Sequence, residues 1–331
     1  MKEDDLYIDL FGLRIFRIGN AAGTVRKIEE LEELAVCEFV GPILVGSYTK
    51  EARPGNPGQV YWAGPDYSIN VNGLPNGGAE WCKKFLPEMI KVAREPLYHP
   101  VIVSVAGFNP QEYAELAVLA LESSAFGVEL NLSCPNIYSA DGQQKQIPCF
   151  HPDLTDKILT TVEKAVGSEA IVWVKISPCC DLQQEELLTK ALADKDLTKE
   201  IVITSGLVYS LKEMAQVLLT YKIVKAVVCV NTWPNVLAVD RGGNPRLTFG
   251  QGVGGLGGPI LKVIGLNQVA RLRDLLSERI KVVGCGGIGT GQDILDYWDA
   301  GAALVQVGTG FLEKGVKIFD DIMWQLADMI E

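Results

Sequence analysis

The sequence predicts an α/β fold, a (β/α)8 TIM barrel with hairpins and loops over the C-terminal face of its strands. Three observations carry this. About eight short runs rich in β-branched residues recur along the chain, helical patterns separate them, and most runs are near-continuously apolar, as parallel strands buried on both faces are. Such alternation favours a barrel over a sandwich. A doubly wound open sheet shares the alternation and stands second, because closure is not written in a linear pattern.

In chain order the expected strands are residues 16–20, 42–46, 101–106, 127–132, 171–176, 226–230, 281–285 and 303–307. The helical patterns cover 25–35, 79–93, 111–121, 154–166, 211–220, 260–275 and 290–300. Three stretches break the repeat, 47–76, 136–151 and 232–252. Each follows an expected strand on the side where barrels keep their active sites, so they read as lids and hairpins over a pocket. Within the second, residues 137–148 are polar and directly follow a candidate catalytic thiol. A mobile lid there would exclude water. A further stretch, 182–204, lengthens the connection between the fifth strand and the helix at 211–220, and no role is assigned to it. With no internal repeat or low-complexity tract, residues 1–331 read as a single domain.

With 48% apolar and 21% charged residues the chain has ample material for a core. No apolar run approaches the ~18 residues of a membrane span. The acidic start Met1-Lys2-Glu3-Asp4-Asp5 lacks the basic and apolar regions of a signal peptide, so a cytoplasmic protein is expected. A formal charge of −11 argues against nucleic acid as a partner, since phosphate backbones are held by clustered Lys and Arg. The eight cysteines form no C-x-x-C pair and none sits with histidine at zinc-ligand spacing, so no metal site is expected. Cys37, Cys229 and Cys285 lie in apolar segments, as reduced core thiols do. The two histidines, His99 and His151, leave acid–base work to a cysteine or lysine.

The fourth strand ends in the richest local chemistry, Val128-Glu129-Leu130-Asn131-Leu132-Ser133-Cys134-Pro135-Asn136. The amides of Asn131 and Asn136 present donors and acceptors together, which suits a planar ring bearing N–H and C=O groups, and Cys134 can act as a proton-abstracting thiolate. Lys175 stands in an otherwise apolar run, Trp173-Val174-Lys175-Ile176, where an unpaired cation is costly and an anionic partner is expected. Glycines cluster at 254–258, 284–291 and 308–310, in the last third of the chain, where barrels often build a phosphate site. A helix starting near Thr290 would add its positive end. No G-K-[ST] follows the first cluster, and no G-x-G-x-x-G ends the first strand, so neither a P-loop nor a dinucleotide fold is indicated.

These pieces together resemble the dihydroorotate dehydrogenase family, in particular its soluble, cysteine-using members. Matching motifs run in order: N-A-A-G at Asn20, G-N-P at Gly55, S-I-N-x-x-G-L-P-N at Ser68 and N-L-S-C-P-N at Asn131. They continue with V-K at Val174, V-N-T at Val230, G-G-L-G-G at Gly254, G-C-G-G at Gly284 and V-Q-V-G-T at Val305. The resemblance implies FMN as cofactor, with its phosphate at Gly258, Gly286, Gly287, Gly308 and Thr309, and its ring flanked by Ala22, Gly23, Ser47, Asn131 and Lys175. It implies dihydroorotate as substrate, held by Asn70, Gly73, Leu74, Asn131, Asn136, Asn231 and Thr232. Cys134 would take the C5 proton, the C6 hydride would pass to flavin N5, and Lys175 would stabilise the reduced ring. A homodimer is implied, with fumarate or a flavoprotein partner as electron acceptor.

Two positions depart from that soluble class. Gly46 stands where a lysine neutralises the substrate carboxylate, and Asn72 replaces a methionine at the same end of the substrate. The serine-using, membrane-associated class instead places its lysine just after A-A-G, where this chain has Arg26 followed by Lys27. Arg26 is therefore expected to grip the carboxylate, bidentately where geometry allows. A flavin enzyme acting on a neutral dihydropyrimidine, and a non-catalytic flavin-binding barrel, are the alternatives.

Overall fold

The computed structural model describes residues 2–137, 145–179 and 210–329. The barrel strands, in chain order, are β1 (Ile18–Asn20), β2 (Ile43–Tyr48), β3 (Val101–Val105), β4 (Gly127–Asn131), β5 (Val172–Ile176), β6 (Val224–Cys229), β7 (Lys281–Cys285) and β8 (Leu304–Val307). All seven ladders between them are parallel, in the order β1-β8-β7-β6-β5-β4-β3-β2. What separates a barrel from an open sheet is the seam between β1 and β2. There Gly41 N–H donates to Ile18 C=O at 2.7 Å. The Asn20 side-chain amide bonds both backbone groups of Leu44, donating to its C=O at 2.7 Å and accepting from its N–H at 2.8 Å. A side chain thus completes the ladder, and the open-sheet alternative falls away. Only glycine fits at 41, where a Cβ would lie 1.9 Å from the Phe16 carbonyl oxygen.

Side chains alternate across each strand, as the pleat requires. Val45, Val103, Val128, Leu130, Val174, Val227 and Val305 face outward into the large core shared with the helices. Leu44, Ile102, Trp173, Ala226, Val228, Val283 and Leu304 form a separate buried cluster with Leu10 and Ile15. Those last two belong to the antiparallel hairpin Tyr7–Leu10 and Leu13–Phe16, which floors the barrel and was absent from the expected elements. Moving two residues toward the C-terminal ends, the interior row turns polar: Ser104, Glu129, Lys175 and Gln306, all buried. The fold therefore has a dry base and a polar upper layer.

The helices lie between the strands as expected, with boundaries shifted by a few residues. The first is Ile28–Ala35 rather than 25–35, and the last interstrand helix is Gly291–Asp299. Two further helices, Thr309–Lys314 and Lys317–Ala327, follow β8. The two long loops after β2 and β6 supply the antiparallel strands Tyr61–Ala63, Ser68–Asn70, Trp233–Leu237 and Val253–Gly257, which pair into one sheet beside the site. The stretch at 182–204 and the middle of the expected lid lie outside the described residues. The ends of that lid are tied together where Lys145 N–H donates to Ile137 C=O at 2.8 Å, and Ile147 is buried. Of the thiols expected in the core, Cys229 and Cys285 are buried and Cys37 is half-buried, because the helix carrying its segment ends at Ala35.

Candidate functional site

A cavity of about 650 Å³ opens at the C-terminal end of the barrel, within the range of small-molecule sites. Its wall includes Arg26, Ala22, Gly23, Ser47, Asn70, Gly73, Leu74, Asn131, Cys134, Asn136, Lys175, Asn231, Thr232, Gly258, Gly286, Gly287, Gly308 and Thr309. Every residue that the sequence nominated for substrate, cofactor or catalysis is thereby gathered in one place. Asn72 joins them, whereas Lys27 is exposed and lines only a neighbouring side pocket.

The amides are held against one another. Asn136 Nδ2 donates to the carbonyl and side-chain oxygens of Asn70 at 3.0 and 2.9 Å. Asn231 Nδ2 donates to Ser133 Oγ at 2.8 Å and to Asn131 Oδ1 at 3.4 Å. Thr232 N–H is anchored on Asn231 Oδ1 at 2.7 Å. Asn70, Asn131 and Asn136 each keep a donor or acceptor for a ligand, whereas the Asn231 amide is taken up by Asn131, Ser133 and Thr232 and sets their positions. Leu74 is held at φ 57°, a strained setting for a side-chain-bearing residue that is common at ligand loops.

Cys134 sits among these amides. Burial pushes its thiol up to about 11, while hydrogen bonding from the Asn136 backbone and the positive charge of Arg53 pull the other way. Arg53 is braced by donation from Nε to Gly73 C=O at 3.0 Å. The sequence reading passed over Arg53, which lies in a loop with no motif of its own. Burial opposes the Lys175 charge, but Cys285 and Glu129 hold its pKa above the ordinary lysine value. Lys175 Nζ reaches Gln306 Oε1 only at 3.5 Å and Cys285 Sγ at 3.9 Å.

Arg26 is half-buried, and its guanidinium donates to the Gly23 carbonyl. Its backbone N–H is taken by Glu30 Oε2 at 2.6 Å, so the chain enters the helix with the side chain turned to the cavity. Burial lowers its pKa and Glu30 opposes that shift. Gly46 has φ 100°, and a Cβ there would lie 2.4 Å from Ser104 C=O. This backbone leaves no room for a side chain at that position.

One expectation needs correction. The helix starting at Gly291 does not offer a free positive end, because Asp293 accepts from Gly289 N–H at 2.9 Å and Thr290 N–H at 2.8 Å, and Thr290 caps Asp293 N–H in return. The sequence T-G-Q-D carried that capping box in plain view. The Thr309–Lys314 helix has no side-chain cap, and its first residues line the cavity.

The family model described as dihydroorotate dehydrogenase matches residues 11–218 and 208–330. The chain belongs to the dihydroorotate dehydrogenase family. It is 30% identical over 319 residues to a dihydroorotate dehydrogenase (fumarate) of Lachancea kluyveri, covering 94% of this chain and 88% of that one. It is 31% identical over 317 residues to the catalytic subunit of dihydroorotate dehydrogenase B (NAD(+)) from Methanopyrus kandleri, covering 95% and 86%. Dihydroorotate dehydrogenase A (fumarate) of Lactococcus lactis subsp. lactis is 30% identical over 320 residues, covering 94% and 89%. Among solved structures, a dihydroorotate dehydrogenase of Eimeria tenella in complex with ferulenol superposes with a TM-score of 0.74 at 20% identity, covering 99% of this chain and 85% of that one. That last likeness speaks for the barrel alone.

Members of this family carry FMN, and the cavity fits it. Gly23 lines the wall with φ 93°, and a methyl group built there would meet nothing within 4 Å, so backbone is presented directly to a ligand. The buried Lys175 ammonium has no carboxylate within 4 Å among the described residues, which suits an electron-rich ring edge. Among the described residues no helix is long and apolar enough to cross a membrane.

Proposed function

We propose that the protein oxidises dihydroorotate to orotate, a step of pyrimidine biosynthesis, with FMN as cofactor. The observation that carries this is the convergence of Cys134, the four asparagines and Lys175 on one cavity with the late glycine loops. FMN, when bound, supplies a hydride acceptor at N5. Cys134 Sγ, as thiolate, removes the C5 proton of the ring and keeps it as a thiol, while hydrogen leaves C6 with its electron pair. Asn70, Asn131, Asn136 and Thr232 bind the ring's alternating N–H and C=O groups, which a purely apolar pocket would leave unpaired, and Asn231 sets the positions of Asn131 and Thr232. Gly73 and Leu74 shape the substrate end. Lys175 places a fixed positive charge where negative charge develops on reduction.

Gly258, Gly286, Gly287, Gly308 and Thr309 would hold the phosphate, and Ala22, Gly23, Ser47 and Asn131 would border the ring. Arg26 supplies the carboxylate-binding cation. Its place in the cavity wall, against the exposed position of Lys27, supports that choice. The relatives named for fumarate make fumarate the proposed acceptor, in a cytoplasmic homodimer built from a single barrel domain.

The deciding experiment is the visible spectrum of the purified protein, followed by anaerobic titration with dihydroorotate and, separately, dihydrouracil. A yellow protein bleached by dihydroorotate and reoxidised by fumarate is expected. Bleaching by dihydrouracil alone would transfer the reading to a neutral ring, and a colourless protein that takes up no FMN would remove it.

A further inference from the structure

Glu129 is fully buried, carries a carboxylate, and has no part in the chemistry above. It stands in the polar layer of the barrel with a partner on each side. Ser104 Oγ donates to Glu129 Oε1 at 2.9 Å, and Gln306 Nε2 approaches Oε2 at 3.4 Å. From Ser104 a chain of hydrogen bonds leads to the substrate end, through Ser47 Oγ at 2.8 Å and on to Asn131 Nδ2 at 2.9 Å. From Gln306 the other arm leads to Lys175 Nζ at 3.5 Å.

A carboxylate accepts and does not donate. Ser104 must therefore spend its proton on Glu129, so the Ser47 hydroxyl donates to Ser104 and offers its lone pairs to Asn131 Nδ2. That fixes which end of the Asn131 amide faces Ser47, and it leaves Oδ1 to Ser133 and Asn231. On the other arm, Gln306 must aim Nε2 at Glu129, which turns its oxygen toward the Lys175 ammonium. One acceptor thus sets the sense of both arms, and its negative charge partly offsets the Lys175 charge across a low-dielectric interior.

We infer that Glu129 is a positioning residue: its carboxylate orients Asn131 toward the substrate through Ser104 and Ser47, and restrains the charge that Lys175 shows the cofactor through Gln306. The inference rests on the flavin reading of the site. Two of the residues involved, Ser104 and Gln306, let the two arms be cut separately.

The test uses full-length, FMN-loaded protein with two readouts other than turnover. These are the midpoint potential of the bound flavin, and the affinity for orotate from the flavin difference spectrum. Glu129→Gln keeps size and removes charge. It is expected to raise the reduced-to-oxidised ratio at fixed potential at least tenfold, an upward shift of about 30 mV for a two-electron couple. It should also weaken orotate binding at least tenfold. Ser104→Ala should weaken orotate and leave the potential in place, whereas Gln306→Leu should raise the potential and leave orotate affinity in place. Should Glu129→Gln fail to fold, those two variants still decide the matter. A flavin-loaded Glu129→Gln with both readouts unchanged, a lowered potential, or single-arm variants that move both readouts alike would overturn the inference. A wild-type protein that binds no FMN would instead defeat the reading beneath it.

Discussion

As the proposed base, Cys134 is held in its inactive form by its surroundings. With the thiol near 11, only about one molecule in ten thousand carries the thiolate at pH 7 before substrate arrives. Because the acting species is the deprotonated one, the rate of flavin bleaching by dihydroorotate should rise with pH, about tenfold per unit from 7 toward 10, measured by anaerobic stopped flow. A flat profile over that range would remove Cys134 from the role of base. As the proposed partner of the substrate carboxylate, Arg26 makes a different kind of contribution, because that carboxylate is bonded to C6 and anchoring it sets where the reacting carbon lies. Arg26→Ala should raise the Michaelis constant for dihydroorotate about tenfold or more and lower kcat as well, with flavin content near wild type. An unchanged constant would mean that another group meets the carboxylate. Gly46 cannot be that group even by substitution, because its left-handed backbone and the Ser104 carbonyl exclude a side chain.

At the scale of elements, one side-chain amide works beside the backbone bonds that close the barrel between β1 and β2. The Asn20 side chain serves both backbone groups of Leu44 and also donates to Thr24 Oγ1 at 2.9 Å, so it joins β1, β2 and the loop that carries Gly23 and Arg26. Asn20→Leu keeps volume but leaves a buried N–H and a buried C=O without partners. Each such orphan costs about 1–3 kcal/mol, so a loss of roughly 3 kcal/mol or more is expected in equilibrium denaturation. A loss below about 1 kcal/mol would show that the seam is carried by packing instead. The same residue shows what a linear sequence hides. N-A-A-G was legible as a motif, but its asparagine was not legible as a strand closure, because the partner lies on a different strand and is backbone.

Across the whole molecule, the barrel was legible because its outward rows are almost entirely apolar, and the site because its amides, thiol and glycines fall at strand ends. The interior charge was not. Glu129 and Gln306 sit inside Val128-Glu129-Leu130 and Val305-Gln306-Val307, the same pattern that exposed Lys175, but their importance depends on a third residue across the barrel. The flooring hairpin was missed because its strands are four residues each and half-exposed, too short for a clear period. The same apolar packing that made the fold readable also controls how its stability should respond to alkali. Burial pushes the thiols of Cys82 and Cys149 up to about 12 and that of Cys229 higher still. In the unfolded chain these thiols ionise near ~8.5, whereas in the native barrel they remain protonated. Stability from these groups is therefore complete below pH 8.5 and drains as pH rises toward the folded values, because only the unfolded state gains by losing protons. Each thiol contributes a slope of about 1.4 kcal/mol per pH unit, so three together give ~4 kcal/mol per unit at most between pH 9 and 10. Urea denaturation under reducing conditions should show a plateau from pH 7 to 8 and then this fall. Cys82→Ala should make the fall shallower by about one thiol's share, and an unchanged slope would mean that other groups govern the alkaline limb.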